Sequence, residues 1–136
     1  MKETSKEDYL RNIYLIYEKQ KDKTTGIKSI DIVKSLGVSK PSVSAMVKKL
    51  AKKGFLKVKP YSNIFFTKKG LREAKRITHN FRVIGVFLKD ILKYDIDDIE
   101  EEAHRLEHAF SEKSIRRLDK FLGDPKRCPH GKIIHK

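Results

Sequence analysis

A chain of 136 residues, 38% apolar and 37% charged, can form one compact domain or two small ones sharing a core. No apolar run nears the roughly 18 residues that span a bilayer, the charged start MKETSKEDYL lacks an apolar signal core, and the single cysteine, Cys128, excludes an internal disulfide framework. Of the net charge of +14, residues 1–80 hold +13 (20 Lys/Arg against 7 Asp/Glu) and residues 81–136 only +1 (12 against 11).

The cytoplasm is therefore the expected location, with no membrane partner. An excess of cations confined to the first part of the chain points to an anionic partner there, nucleic acid first. A generally lysine-rich composition, as in heat-adapted proteins, is the alternative.

Residues 6–20 place Tyr9, Leu10, Ile13, Tyr14, Ile16 and Tyr17 at helical spacing. Ser5 and Asp8 form a capping box with a shorter acid than usual. After the polar turn KDKTTG, Ile27–Leu36 reads as a short helix with Ile30, Val33 and Leu36 inward and Gly37 as its stop. Ser39-Lys40-Pro41 opens the next helix, since proline in a first turn sacrifices no hydrogen bond. Its apolar face is Val43, Met46, Val47 and Leu50, and Gly54 ends it.

Phe55–Lys59 and Asn63–Phe66 are β-prone runs joined by Pro-Tyr-Ser, a small hairpin. Thr67 caps a long helix through Lys93, interrupted in propensity by Gly70 and Gly85. Further helices are expected over about 95–110 and over Ser111–Leu122, the latter with Ile115, Leu118 and Leu122 inward. The tail GDPKRCPHGKIIHK reads as irregular.

Short helix, glycine turn, Ser-capped helix and hairpin, in that order, make a winged helix-turn-helix. The capped helix points Ser39, Lys40, Ser42 and Ser44 outward near the end that enters the major groove in this motif, beside Pro41. Lys48, Lys49, Lys52 and Lys53 follow, with Lys57, Lys59, Lys68 and Lys69 around the hairpin. These suit phosphates, which position a protein on DNA without specifying sequence. Ala45 offers no hydrogen bond where a polar base-reader could stand.

The segment IEEEAHRLEHA sets Glu100, His104, Glu107 and His108 within roughly 100° of arc on one helix, beside an apolar stripe of Ile96, Ile99, Ala103, Leu106 and Phe110. Carboxylates and imidazoles so placed are candidate ligands for a divalent metal. Two other readings stand beside this one. The face could be plain solvated helix, or His104-Arg-Leu-Glu107-His108 could be the H-x-x-E-H of inverted zinc peptidases, making the chain a small zinc hydrolase.

Taken together, EDYLRNIY, LGVSKPSVSAMVKKL, TKKG, EEEAHRLEHAFS and CPHG resemble the diphtheria-toxin-repressor family of metal-dependent regulators, in the shorter, manganese-responsive form without a C-terminal SH3-like domain. The resemblance runs over nearly the whole chain to Gly131. It implies a ligand set of Asp8, His104, Glu107 and His108, with Glu100 one turn earlier in a place of an ancillary ligand. It also implies two losses, because Phe81 and Gly85 stand where the family carries a His and a Glu, and His79 lies about 200° round the helix from Phe81. Arg11 stands where some manganese-type members place an acid.

The expected fold is mainly α with a small β-hairpin wing: a winged helix-turn-helix over residues 1–75 and a helical metal-binding and dimerisation domain over 76–136. The expected function is a metal-responsive regulator, a repressor of metal-homeostasis genes that binds palindromic double-stranded DNA as a homodimer. Mn²⁺ or Fe²⁺ leads the cofactor expectation, with Zn²⁺ or Co²⁺ compatible. A winged-helix regulator without metal control is the rival within the binding class. In the tail, Cys128 and His130 could add a thiolate and an imidazole or simply pack on the body, while His135 is expected in solvent.

Overall fold

The computed structural model describes residues 5–59 and 63–135. Among the described residues six helices and one two-stranded antiparallel sheet are formed, and the chain divides into two compact units, Met1–Ile77 and Thr78–Lys136.

In the first unit, α1 (Lys6–Lys19) opens with a full capping box: Ser5 Oγ accepts from the Asp8 amide and the Asp8 carboxylate accepts from the Ser5 amide. Tyr9, Leu10, Ile13 and Tyr14 are its buried face. Asn12 donates to Ser35 Oγ at 2.6 Å, which ties α1 to α2.

Helix α2 spans Ser29–Leu36, two residues shorter at its start than the periodicity implies. Ile27 instead exchanges backbone hydrogen bonds with Ile64 at 2.7 and 2.8 Å, adding a third extended segment to the sheet. Val33 and Leu36 pack against the core as the periodicity implies, but the fully buried residue is Ile32, while Ile30 is 39% exposed. In so short an element two apolar patterns fit almost equally well, and packing on α1 and α3 decides between them.

Gly37, at φ 66° and ψ 32°, makes the left-handed turn into α3 (Lys40–Lys52), a conformation that costs any residue with a Cβ. Ser39 caps α3, and Val43, Val47 and Leu50 are buried. Strands β1 (Leu56–Val58) and β2 (Ile64–Phe66) pair with Leu56 opposite Phe66 and Val58 opposite Ile64. The expected Pro-Tyr-Ser turn, 60–62, lies outside the described residues.

Helix α4 (Lys68–Asp90) begins where Thr67 Oγ1 accepts from the Gly70 amide at 2.9 Å. It ends three residues before the expected Lys93, where the Ile91 and Leu92 amides both turn back to the Phe87 carbonyl and Lys93 adopts a φ of 61°. Gly70 is there for space. A Cβ built on it would sit within 1.8 Å of the Phe55 carbonyl oxygen, so the helix meets the chain leaving α3 backbone against backbone.

The second unit continues with α5 (Ile96–Glu107) and α6 (Glu112–Phe121), the latter capped by Ser111 Oγ accepting from the Ser114 amide at 3.1 Å. Ile84, Leu88, Ile99, Ala103 and Ile115 form its core, with Phe81, Leu106, Phe110 and Leu118 packed around them. Ile96, expected in the apolar stripe, is 44% exposed because it projects from the first turn of α5, beyond Ile99.

The tail is more ordered than its composition implies. Arg127 bridges to Ile133, the Ile134 amide bonds to the Lys126 carbonyl at 2.8 Å, and Ile134 is buried against Val83 and Val86.

Gly70→Ala should destabilise the first unit by about 3 kcal/mol or more, since overpacking against rigid backbone has no side chain to yield. Denaturant unfolding of the two proteins measures it, and a loss under about 1 kcal/mol would show that the α4–Phe55 contact is loose.

Candidate metal centre and nucleic-acid interface

Two imidazoles and one carboxylate gather at the C-terminal end of α5. One ligand atom each from His104, Glu107 and His108 lies within 4.8 Å of the others. The two rings meet edge-on, their centroids 5.5 Å apart and their planes at 81°. His108 Nε2 lies 3.6 Å from Glu107 Oε1, and the Glu107 side chain is only 2% exposed against 41% for His108.

Glu107 is thus a carboxylate in a doubly unfavourable place. Burial disfavours its charge, and so does the last turn of a helix, where unsatisfied carbonyls carry roughly half a negative charge. The same helix end favours a cation. Two imidazoles and a carboxylate converging there form a mixed N/O donor set of the kind first-row divalent metals accept.

Two details differ from expectation. His108 is the C-cap of α5 and not an interior residue, with φ −78° and ψ −17° that keep its ring near His104. Glu100 is exposed and does not join the gathered ligand atoms, because it lies seven and eight residues before Glu107 and His108, about 10–12 Å along the helix axis.

In the first unit Asp8 is buried, 5% exposed, in the first turn of α1. Its Oδ2 accepts from the Ser5 amide at 2.9 Å and from Ser5 Oγ at 3.1 Å, and its Oδ1 lies 3.5 Å from the Arg11 guanidinium.

The two positions where the resemblance implies lost ligands are rebuilt with apolar contacts. Phe81 packs against the Ile84–Ile99–Ile115 core. At Gly85 the tail closes in, so that an added Cβ would lie 3.3 Å from Pro129 Cδ and 3.6 Å from Ile99 Cγ2. His79 is committed elsewhere, its Nε2 2.9 Å from Asp119 Oδ2 and its Nδ1 2.6 Å from the His135 carbonyl. Beside it, Arg82 donates to the Ile133 carbonyl at 2.8 Å.

Cys128 packs against the Val83–Val86–Ile134 cluster and accepts the Lys132 amide at 3.3 Å, while His130 and His135 are exposed. Among the described residues no second group of three or more His, Cys, Asp or Glu ligand atoms gathers.

On α3, Ser39, Lys40, Pro41, Ser42, Ser44, Lys48 and Lys49 are all exposed on the helix that follows the glycine turn. Ser39 and Ser42 are linked through their hydroxyls at 2.8 Å. Ser44, Lys40 and Lys48 border a groove of about 410 Å³ whose apolar floor includes Ile30, Val47 and Val58, which accounts for the exposure of Ile30 and Val58. Lys69, grouped by sequence with the phosphate contacts, has local work: it donates to the Lys53 carbonyl at 3.2 Å and lies 4.8 Å from the centre of the Phe55 ring.

A winged helix-turn-helix followed by a helical unit with a metal-ligand face defines a class of DNA-binding regulators. Residues 1–64 match the family described as iron dependent repressor, N-terminal DNA binding domain, and residues 67–136 match iron dependent repressor, metal binding and dimerisation domain. The chain belongs to the iron dependent repressor family.

It is 38% identical to an uncharacterised HTH-type transcriptional regulator of Methanocaldococcus jannaschii over 85% of this chain and 90% of that one. It is 33% identical to the diphtheria toxin repressor of Corynebacterium diphtheriae over 94% of this chain but 55% of the repressor. Its fold matches the solved manganese regulator SloR with a TM-score of 0.83 and 41% identity, over 97% of this chain and 60% of that one. The chain therefore spans little more than half the length of the latter two. The family consists of transcriptional regulators, not enzymes, so the match of His104–His108 to H-x-x-E-H is a coincidence of spacing.

Asp119→Asn should free the tail from α4 by weakening the bond to His79, at a cost of about 1–2 kcal/mol. The readout is amide hydrogen exchange at Ile134, which should speed up selectively. Uniform exchange rates in both proteins would mean that Ile134 burial alone holds the tail.

Proposed function

We propose that this chain is a metal-responsive transcriptional regulator, a repressor of metal-homeostasis genes that acts in the cytoplasm as a homodimer on palindromic double-stranded DNA. The observation that carries the reading is the buried Glu107 carboxylate at the negative end of α5, within 4.8 Å of two imidazoles, in a chain whose first unit exposes a serine- and lysine-bearing recognition helix. The proposed ligand set is Asp8, His104, Glu107 and His108. Mn²⁺ or Fe²⁺ is the proposed cofactor, with Zn²⁺ or Co²⁺ also suited to these donors.

A bound ion would supply two positive charges and directional bonds to oxygen and nitrogen. Glu107 and Asp8 would give anionic oxygens already desolvated by burial, and His104 and His108 neutral nitrogens. Since Asp8 belongs to the unit that bears the recognition helix and the other three to the second unit, metal affinity and DNA affinity are linked, and the linkage is reciprocal. Its size is limited by the difference in metal affinity between the DNA-competent arrangement and the others. In a symmetric dimer the competent arrangement sets the recognition helices about one DNA turn, ~34 Å, apart.

On α3, Lys48 and Lys49 would contact phosphates, and Ser39, Lys40, Pro41, Ser42 and Ser44 would face the groove. With Phe81 and Gly85 in apolar contacts, the proposed stoichiometry is one metal per chain.

The decisive experiment selects duplexes from a random-sequence pool with Mn²⁺ present, then measures their affinity at fixed salt with Mn²⁺, Fe²⁺ or Zn²⁺ and with chelator. Metal should tighten binding at least ten-fold for the wild type and have no effect on His108→Ala. Tight binding indifferent to both metal and mutation would replace this reading with a metal-independent regulator.

Lys48→Ala should weaken binding to all duplexes alike and lower the salt slope by about 1. A loss confined to particular sequences would assign Lys48 to base reading instead.

A further inference from the structure

The Asp8 carboxylate is already engaged within its own unit. One oxygen closes the capping box with Ser5, and the other faces the Arg11 guanidinium at 3.5 Å. Both partners of the ion pair are well covered, with side-chain exposures of 13% for Arg11 and 7% for Asp8. At that burial solvent and salt screen the charges weakly. A guanidinium stays protonated at any pH the protein meets, so its charge can be displaced but not neutralised.

We propose that Arg11 is an affinity-setting residue, a permanent cation of the chain that competes with the divalent metal for Asp8 and raises the metal concentration at which the regulator responds. The inference rests on the metal reading above and adds the element that tunes it.

Any divalent ion taking Asp8 as a ligand must either share the carboxylate with a like charge one helical turn away or push the guanidinium aside. Both are unfavourable. A single charge and a double charge a few ångströms apart repel by several times the thermal energy even at an effective dielectric constant near 20. Outward rotation of the long arginine side chain relieves part of this, which leaves an affinity penalty of about ten- to a hundred-fold. The capping box makes the competition specific: Ser5 holds Asp8 Oδ2 and fixes the carboxylate in the first turn of α1, so that Oδ1 stays within reach of Arg11.

The test is direct titration of the full chain with Mn²⁺, repeated with Zn²⁺ and with Fe²⁺ under anaerobic conditions, using a competing chelator to set the range. Wild type, Arg11→Gln, Arg11→Lys and His108→Ala are compared, with circular dichroism to confirm helix content. Arg11→Met gives the same comparison should Gln not fold at this site.

Removing the charge should tighten metal binding at least ten-fold, Arg11→Lys should stay within a few-fold of wild type, and His108→Ala should abolish binding. Unchanged or weaker binding by the neutral variants, with His108→Ala still inactive, would overturn the role of Arg11 and leave the metal reading standing. No binding of any of the three ions by wild type or variants would overturn both.

Discussion

A buried carboxylate at the wrong end of a helix is the constraint on which the second unit turns. Glu107 closes α5, where the backbone carbonyls repel an anion, and its side chain is almost wholly withdrawn from water. An apolar residue there would pack at no electrostatic cost. Natural chains tolerate such a local conflict where a site needs it, and the neighbours of Glu107 indicate the need: His104 and His108 bring nitrogen donors to within 4.8 Å. The rest of the unit is arranged around that end. Ile99 and Ala103 seat α5 on α4, and the C-cap geometry at His108 keeps the second ring beside the first.

Much of this organisation can be read from the chain, and the features that cannot share a physical cause. Ser5, Ser39 and Ser111 mark helix starts because capping is a local interaction between residues three apart, and all three cap in the structure. Gly37 marks the turn between α2 and α3 for the same local reason. Which isoleucine of α2 is buried, by contrast, is decided by what the helix packs against, and eight residues hold too little periodic information to settle it. The purpose of Gly70 depends on the Phe55 carbonyl fifteen residues earlier, a contact no local pattern encodes.

In α5 the residue types of the candidate ligands were legible and their depth along the axis was not. Glu100 shares the arc of His104 but lies about two turns from Glu107 and His108. The pairing of Asp8 with Arg11 had a visible signal, an acid and a base three apart on one helix, though nothing in the spacing reveals that both are buried. The tail was hardest to anticipate. Its Gly and Pro content argues for irregular chain, and irregular it is, but the groups that hold it lie on α4, some fifty residues upstream.

That clasp has a consequence for how the chain can change over time. His79 and Arg82 grip the carbonyls of His135 and Ile133, groups that every amino acid carries, and of residues 133–135 it is the Ile134 side chain that enters the core. Positions 133 and 135 are therefore free to drift without loosening the tail, whereas Ile134, His79, Asp119 and Arg82 must change together or hardly at all. The last described turn of the protein is recognised by its backbone, and a comparison of its sequence alone would make it look far less constrained than it is.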